Sequence, residues 1–289
     1  MVRQWRSFLI FLPTAAVMAL LLLRSAQAAE AVRSGLRLCA ASLLPALFPF
    51  FVAVSFAINA GLFHTLRHGR ISTAAAVFFL GALGGYPLGG RTAGEAYRAG
   101  LLTKKEAESL LMCCNNAGPA FILTVVGQNV FQSSSAGLAL WGIHLGTAMG
   151  LFFLFYRSKS EKAVQKLPQV SLVNAFLSAV TGAADTMLRL SAFVVFFSVA
   201  MALLATVLGP VPPVLAGFVE LTVGVTNLSN NRLGFTAAAA LLGWGGIAVH
   251  CQTAAVLSDT DLSLRPYLAG KALQGLLSAA LAWCAYPFI

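Results

Sequence analysis

The sequence predicts an all-α integral membrane protein that crosses the bilayer several times. Of its 289 residues, 58% are hydrophobic and only 10% are charged, a composition far from that of soluble domains. The long apolar segments of the sequence lack the alternation of period 2 that β-barrel strands need, so helices are expected. Five apolar segments are long enough to cross about 30 Å of hydrocarbon: Phe8–Leu23, Leu38–Leu62, Gly137–Tyr156, Leu188–Leu208 and Tyr267–Tyr286.

The first apolar segment has the form of a secretory signal. Arg3 and Arg6 precede it, and the small residues Ala26–Ala28 follow it. However, Arg24 stands directly after the apolar run and further apolar segments continue along the chain, as in polytopic proteins that keep their first helix as an anchor. We therefore expect an uncleaved transmembrane helix within residues 1–33, with cleavage as the alternative.

Two passes of one pattern follow, at residues 34–156 and 170–289, joined by a basic loop at 157–169. Each pass consists of a helix, two segments broken by glycine, proline or asparagine, and a closing helix. SGLRL at Ser34–Leu38 and TMLRL at Thr186–Leu190 are expected to open the two first helices. The broken segments are Phe78–Gly94, Cys114–Ile122, Gly217–Asn231 and Leu241–Gln252.

Breaks at corresponding places in two halves indicate a binding site near the membrane midplane. Non-helical backbone at that depth persists only where protein or a water-filled cavity satisfies its N–H and C=O groups. The alternative is that glycine and proline serve close helix packing. We expect the substrate-binding residues to be Tyr86, Pro87, Gly89, Gly90, Asn115, Asn116, Gly118, Pro119, Glu220, Thr222, Gly224, Asn227, Gly245, Gly246, His250 and Gln252.

The polar members of this set suggest particular chemistry. The side-chain amides of Asn115 and Asn116 can each donate and accept hydrogen bonds, although they could instead cap the second half-helix and bond to the opposing hairpin. Glu220 and His250 could exchange a proton or bind a cation in an apolar environment. The alternative for His250 is a neutral side chain hydrogen-bonded to a neighbouring helix.

The net charge of +10 does not indicate nucleic-acid binding, because the basic residues are scattered between apolar segments. Two topologies fit their distribution. If the first broken segment of each half is a re-entrant hairpin, the halves are inverted and the N-terminus is cytoplasmic. If every broken segment spans, the halves are parallel. The positive-inside rule slightly favours the hairpins.

Motifs for catalysis are missing from the sequence. It contains neither GxxxxGK[ST] nor GxSxG, and HTLRH at His64–His68 lacks the glutamate of the zinc motif HExxH. Five cysteines without CxxC spacing form neither a metal site nor a disulfide framework. We expect no enzyme activity, no cofactor and no metal site.

Four stretches together resemble the YlbJ-type sporulation integral membrane proteins: Ser42–Leu62, Gly84–Gly90, Leu102–Ile122 and Gly243–Gln252. Within them, YP-x-G at Tyr86–Gly89 and CNN-x-GP at Cys114–Pro119 match family motifs residue by residue. That family is grouped with the nucleoside-recognition gate domains of spore maturation proteins, ferrous-iron transporters and concentrative nucleoside transporters. The resemblance implies inverted gate repeats and a part in spore cortex formation in endospore-forming bacteria. It implies no particular substrate.

Two functional hypotheses follow. The first is a transporter or channel-like protein of the cell membrane that passes a small polar solute, with proton or cation coupling. The second is a non-transporting scaffold that holds a sporulation complex in the membrane. Expected partners are membrane lipid and the solute; nucleic acid is not among them, and a homo-oligomer is compatible with the sequence.

Overall fold

The structure is a computed structural model that describes residues 2–61, 70–157 and 171–289. All regular elements in these ranges are helical, which confirms the predicted all-α membrane fold. Residues 158–169 of the basic loop predicted at 157–169, and His64–His68, lie outside the described residues. In chain order the α-helices are α1 (Val2–Leu23), α2 (Ser25–Leu38), α3 (Leu44–Asn59), α4 (Arg70–Gly84), α5 (Leu88–Arg98), α6 (Lys104–Cys114), α7 (Ser134–Phe155), α8 (Leu172–Leu208), α9 (Pro213–Val219), α10 (Leu221–Thr226), α11 (Arg232–Trp244), α12 (Gly246–Val256) and α13 (Leu264–Ala285).

Shorter helical segments complete the chain: π-helices at Cys39–Leu43 and Phe121–Val130 and a 3₁₀ turn at Tyr286–Phe288. Four helical units within the described ranges are long and apolar enough to cross a membrane, with α11 and α12 counted as one unit. The bent pair formed by α1 and α2 adds a fifth, with a bend of 91°.

The first helix of each half begins earlier than predicted. α8 begins at Leu172, where the Ser171 side chain accepts a hydrogen bond from the backbone N–H of Asn174. The prediction that Thr186–Leu190 opens this helix was therefore wrong. Its polar residues do not mark a boundary, because Asp185 and Arg189 pair at 2.8 Å along the exposed surface of one continuous helix.

The corresponding prediction for the first half was also wrong. Ser34–Leu38 forms the end of α2, which begins at Ser25. Nothing in Ser25–Leu38 interrupts a helix, and the π-helical turn that follows continues directly into α3. The predicted limit of the N-terminal region, after residue 33, consequently falls inside α2.

The opening helices of the two halves run antiparallel to each other. Gly35 in α2 packs against Val195 late in α8, whereas Asn59 at the end of α3 donates to the carbonyl oxygen of Ala175 near the start of α8. The two halves therefore begin in opposite directions.

A hairpin follows the opening helix in each half. Hairpin A consists of α4 and α5; a β-carbon at Gly81 would come within 2.8 Å of the Cα atom of Gly89 on the returning helix. Hairpin B consists of α9 and α10, where Gly217 and Gly224 face each other so closely that a β-carbon at Gly224 would overlap the Gly217 backbone. Small residues at these crossings allow the two arms to approach.

Each hairpin is followed by a crossing that is broken midway and lined by the closing helix of its half. Broken span A comprises α6 and the π-helix up to Val130, and α7 runs back along it from Gly127 beside Gly137 to Ala117 beside His144. Broken span B comprises α11 and α12, and α13 runs back along it from Tyr267 beside His250 to Gly275 beside Gly243.

Contacts between loops separate the two topologies that the sequence left open. Arg98 pairs with Asp259 at 2.8 Å, and Lys104 pairs with Asp261 at 3.0 Å. The loop after hairpin A and the loop after broken span B thus lie together. The hairpin topology puts both loops on one side of the membrane, whereas the all-spanning topology puts them on opposite sides.

Candidate functional site

The four breaks meet at the centre of the molecule. The tip of hairpin A packs on the break of span A, where a β-carbon at Gly85 would lie 3.0 Å from the backbone nitrogen of Gly118. The tip of hairpin B packs on the break of span B in the same way, with Gly246 beside the backbone of Leu221. Tyr86 links the two pairs, because its hydroxyl donates to the carbonyl oxygen of Leu242 at 2.8 Å.

Glycine is needed at three positions in two of these turns for conformational reasons. Gly85, Gly245 and Gly246 have φ values of +83°, +92° and +85°, in a region that residues with a β-carbon rarely adopt. Each turn ends one half-helix and begins the next within one or a few residues, so the half-helix ends converge on one point.

A cavity of about 50 Å³ lies between the hairpin tips and the opening helices. Its polar lining comes from Tyr86 in hairpin A, Glu220 and Thr222 in hairpin B, and Gln252 in broken span B, and Gly118 of broken span A also borders it. Apolar residues of α3, α8 and the π-helix after the break of span A complete the walls. All four breaks or the half-helices next to them therefore contribute to one polar cavity.

Glu220 places a carboxylate in this cavity. The residue is only 2% exposed and caps α10, since its carboxylate accepts a hydrogen bond from the backbone N–H of Val223 at 2.6 Å. No lysine, arginine or histidine among the described residues forms an ion pair with it. Gln252, 5% exposed, has a buried Oε1 atom without a hydrogen-bond partner in the described structure.

A second polar cluster, which we call the lysine network, lies beside the cavity. The Lys271 Nζ atom donates to the carbonyl oxygen of Asn115 at 2.9 Å and to Oε1 of Gln274 at 2.6 Å. The Gln274 amide nitrogen donates in turn to Oδ1 of Asn116 at 3.0 Å and to the carbonyl oxygen of His144 at 3.2 Å. The Tyr86 ring, whose centroid is 5.1 Å from the Lys271 nitrogen, lines the cavity and thereby connects it to this network.

Sequence reasoning missed Lys271, Gln274 and His144. A signal was present for the first, because Lys271 is a single charged residue within the last apolar segment, and an ionisable residue at membrane depth indicates a functional site by default. Gln274 follows it on the same helix face at i+3. The sequence held no comparable sign for His144, whose contact with the break depends on how α7 packs.

The two asparagines are engaged within the protein. Asn115 accepts a hydrogen bond from the backbone N–H of Gly90 at 3.1 Å, and its amide nitrogen donates to Thr253 at 2.8 Å and to Tyr267 at 3.3 Å. Asn116 donates to the carbonyl oxygen of Cys113 at 2.6 Å and accepts from Gln274. Asn115 thereby holds the first turn of α5 in hairpin A, and neither asparagine caps the π-helix after the break.

Two histidines approach the same region. Nδ1 of His250 lies 3.0 Å from the Tyr267 hydroxyl, and the imidazole meets the Trp244 ring edge-on at a centroid distance of 4.3 Å. Nε2 of His144 accepts a hydrogen bond from the backbone N–H of Ala117 at 3.1 Å, directly at the break of span A. His250 therefore belongs to the polar layer between the half-helices and does not line the cavity.

Most of the remaining predicted residues form the turns or the close helix contacts, and one of them lies away from the cavity. Pro87 and Pro119 stand at or before the first turn of their half-helices, Gly89 packs on the carbonyl of Cys114, and Gly224 forms the hairpin contact. Asn227 is not brought to the cavity: it is exposed at the end of α10 and donates to the carbonyl oxygen of Val223.

Comparison with known proteins agrees with this membrane fold. No protein-family model matches the chain, and no solved structure matches it. The sporulation integral membrane protein YlbJ of Bacillus subtilis (strain 168) is 27% identical over 307 aligned positions, which cover 86% of this chain and 75% of the relative. The motifs at the breaks and this similarity along most of the chain lead to one conclusion: the chain is similar to the YlbJ-type sporulation integral membrane proteins.

Proposed function

We propose that this protein is a membrane transporter of a small polar solute that acts in sporulation. The observation that carries the proposal is the cavity between the two hairpin tips, with polar groups of Glu220, Thr222 and Gln252 on its lining. Broken helices with exposed backbone groups around a polar cavity are the usual construction of transporter sites, because the cavity satisfies backbone groups that lipid would leave unpaired.

The arrangement of the halves supports an alternating-access mechanism. Antiparallel opening helices, each followed by a hairpin, a broken span and a closing helix, are what two inverted repeats would contain. In such a mechanism one hairpin withdraws from the cavity while the other stays closed, and the site opens first to one side and then to the other. Tyr86 and its bond to Leu242 would be part of the contact that separates when hairpin A moves.

The link to sporulation rests on the relative. The similar Bacillus subtilis protein is described as a sporulation integral membrane protein, and we extend that setting to this chain. The description of the relative names no solute.

A ligand screen followed by a flux assay tests the proposal. The purified protein in detergent is heated with nucleosides, amino acids, small dicarboxylates or phosphate, and the melting temperature is recorded. A ligand at about a hundred times its dissociation constant stabilises the folded state by about 2.7 kcal/mol, so weak binders become visible. Compounds that stabilise the protein are then offered, radiolabelled, to proteoliposomes.

Two variants separate the cavity from the general fold. Thr222→Val alters the cavity lining, whereas Thr226→Val changes an exposed threonine one turn further along the same hairpin arm. We expect a solute that stabilises the wild type and Thr226→Val, enters proteoliposomes and loses both effects with Thr222→Val. Binding without uptake, or uptake unchanged in Thr222→Val, would contradict the proposal; a stoichiometric protein partner without any solute would favour the scaffold.

A further inference from the structure

We infer that the central cavity binds a small monovalent cation between Glu220 and Gln252, a site that deepens the proposed transport function and rests on it. The cation would be a dehydrated alkali-metal ion or ammonium. It would be the coupling ion of the transport cycle.

The cavity lining offers hydrogen-bond acceptors that suit a cation. A carboxylate offers about four lone-pair positions, and the Glu220 carboxylate accepts hydrogen bonds from the backbone N–H of Val223 and from the backbone N–H and hydroxyl of Thr222, so about one position remains. Gln252 adds a buried amide oxygen that has no partner in the described structure. The Tyr86 hydroxyl donates its proton to Leu242 and has none left for the cavity. The cavity thus presents acceptors that call for a positively charged or donating guest.

The Glu220 carboxylate has no positively charged partner among the described side chains. A carboxylate buried at membrane depth is costly unless it is paired or coordinated. The described ion pairs all lie elsewhere. Lys271, the buried cation of the same region, directs its nitrogen to Asn115 and Gln274. No cationic side chain of the described residues therefore neutralises Glu220.

The size of the cavity and its single carboxylate match a small monovalent cation. A cavity of about 50 Å³ holds a bare ion with one or two waters, since one water needs at least about 10–15 Å³ of such space. A divalent metal would normally draw on several carboxylates, and the described residues contain no group of three histidine, cysteine or acidic side chains. One carboxylate in a small cavity matches a single positive charge.

The two proposed ligands of the cation belong to different elements of the fold. Glu220 lies at the turn between α9 and α10, and Gln252 lies on α12 of broken span B. An ion held by both would join hairpin B to the broken span, so its arrival would favour the closed position of that hairpin. Ion binding would thereby couple to the hairpin movement proposed for transport.

Thermal stability in different salts tests the site without any solute. The purified protein is heated in rising concentrations of sodium, potassium, lithium or ammonium chloride, with N-methylglucamine chloride keeping the ionic strength constant. We expect at least one of these cations to raise the melting temperature of the wild type in a saturable manner. In Glu220→Gln and in Gln252→Met the apparent dissociation constant should rise by about tenfold or more, because each loses one contact to a charged group.

The controls identify an effect that is not due to this cavity. Asp259→Asn removes an exposed carboxylate and Thr226→Val an exposed hydroxyl of hairpin B; both should respond to the cation like the wild type. Gln252→Met leaves the cap on α10 intact, so it tests the site even if Glu220→Gln folds poorly. An unchanged response in Gln252→Met, or no stabilisation of the wild type by any of the four cations, would overturn the inference.

The flux assay distinguishes this failure from failure of the proposed function. Solute uptake that proceeds equally without the cation would refute the coupling ion and leave transport in place. Saturable stabilisation by the cation with no uptake of any solute would support the ion site and count against transport.

Discussion

The side-chain nitrogen of Lys271 lies 2.9 Å from the main-chain oxygen of Asn115, at the point where broken span A loses its helical hydrogen bonds. The carbonyl at the end of a half-helix has no intrahelical partner, and at membrane depth water does not replace it. The last helix therefore supplies, through one lysine, the hydrogen bond that the break requires.

Removing that lysine should destabilise the protein. In Lys271→Met the Asn115 carbonyl and the Gln274 oxygen are left buried and unpaired, and each such group costs about 1–3 kcal/mol. We expect a clearly lower melting temperature, whereas Lys105→Met, which changes an exposed lysine at the start of α6, should alter it little. Combining Lys271→Met with Gln274→Leu should cost less than the sum of the single changes, because the two side chains bond to each other. Additive losses would contradict a connected lysine network.

The two predicted asparagines of the breaks should behave differently from Asn227. Asn115→Ala leaves the backbone N–H of Gly90 without its acceptor, and we expect a loss of about 1–3 kcal/mol in the free energy of unfolding. Asn227→Ala should have little effect, since that side chain is exposed. Equal melting temperatures for Asn115→Ala and Asn227→Ala would show that Asn115 does not hold hairpin A in place.

Replacing glycine by alanine should lower the stability of the protein in hairpin B but not in α7. A β-carbon at Gly224 would overlap the backbone of Gly217, so Gly224→Ala should separate the hairpin arms and cost about 1–3 kcal/mol or more. A β-carbon at Gly142 meets no atom within 4 Å, and Gly142→Ala should leave stability unchanged or raise it by about 0.4–1 kcal/mol through the unfolded chain. Thermal unfolding of the two variants decides, and a tolerant Gly224 would argue against the close hairpin.

The contacts of Asp261 should make stability sensitive to acid. Hydrogen bonds from the Tyr97 hydroxyl and then from Lys104 lower the pKa of the Asp261 carboxyl below its ordinary value. A group with a lowered pKa contributes stability that is present above its unfolded pKa, about 3.9, and is lost as pH falls through the folded value. The melting-temperature difference between wild type and Asp261→Asn should therefore be present at pH 7 and shrink below about pH 4.

A control for this pH effect is Asp185→Asn, which removes an exposed carboxylate whose partner lies on its own helix. High salt should also reduce the Asp261 difference, because exposed charge pairs are screened. A difference between wild type and Asp261→Asn that stays constant down to pH 2.5 would refute the assignment of the acid effect to Asp261.

Single cysteines should report the hairpin topology. With exposed Cys284 replaced by serine, cysteines at Gly100 and at Ser258 mark the loops after hairpin A and broken span B, and one at Ser229 marks the loop after hairpin B. We expect a membrane-impermeant maleimide to label the first two from the cytoplasmic side and the third from the opposite side. Labelling of Gly100→Cys and Ser258→Cys from opposite sides would exclude the hairpins.

Local composition was enough to predict the membrane class and the positions of the breaks. Long apolar runs must be helical in a bilayer, and glycine, proline and asparagine within such runs interrupt helices for reasons that act within a few residues. The motifs at Tyr86–Gly89 and Cys114–Pro119 therefore indicated both the turns and the family resemblance before any fold was known. The polar residues at Glu220 and Gln252 were visible for the same reason, since their burial in lipid is costly.

Tertiary structure alone decided how these elements are joined. The repeated pattern placed helix starts at Ser34 and Thr186, whereas helices α2 and α8, which pack along each other, begin earlier and run through these positions. The distribution of basic residues favoured the hairpin topology over the all-spanning topology only slightly. The pairing of Arg98 with Asp259 brings two loops together that only the hairpin topology puts on one side of the membrane. The partner of each buried polar group lies far away along the chain, as with Lys271 and Asn115, and such pairs depend on long-range packing that no local pattern records.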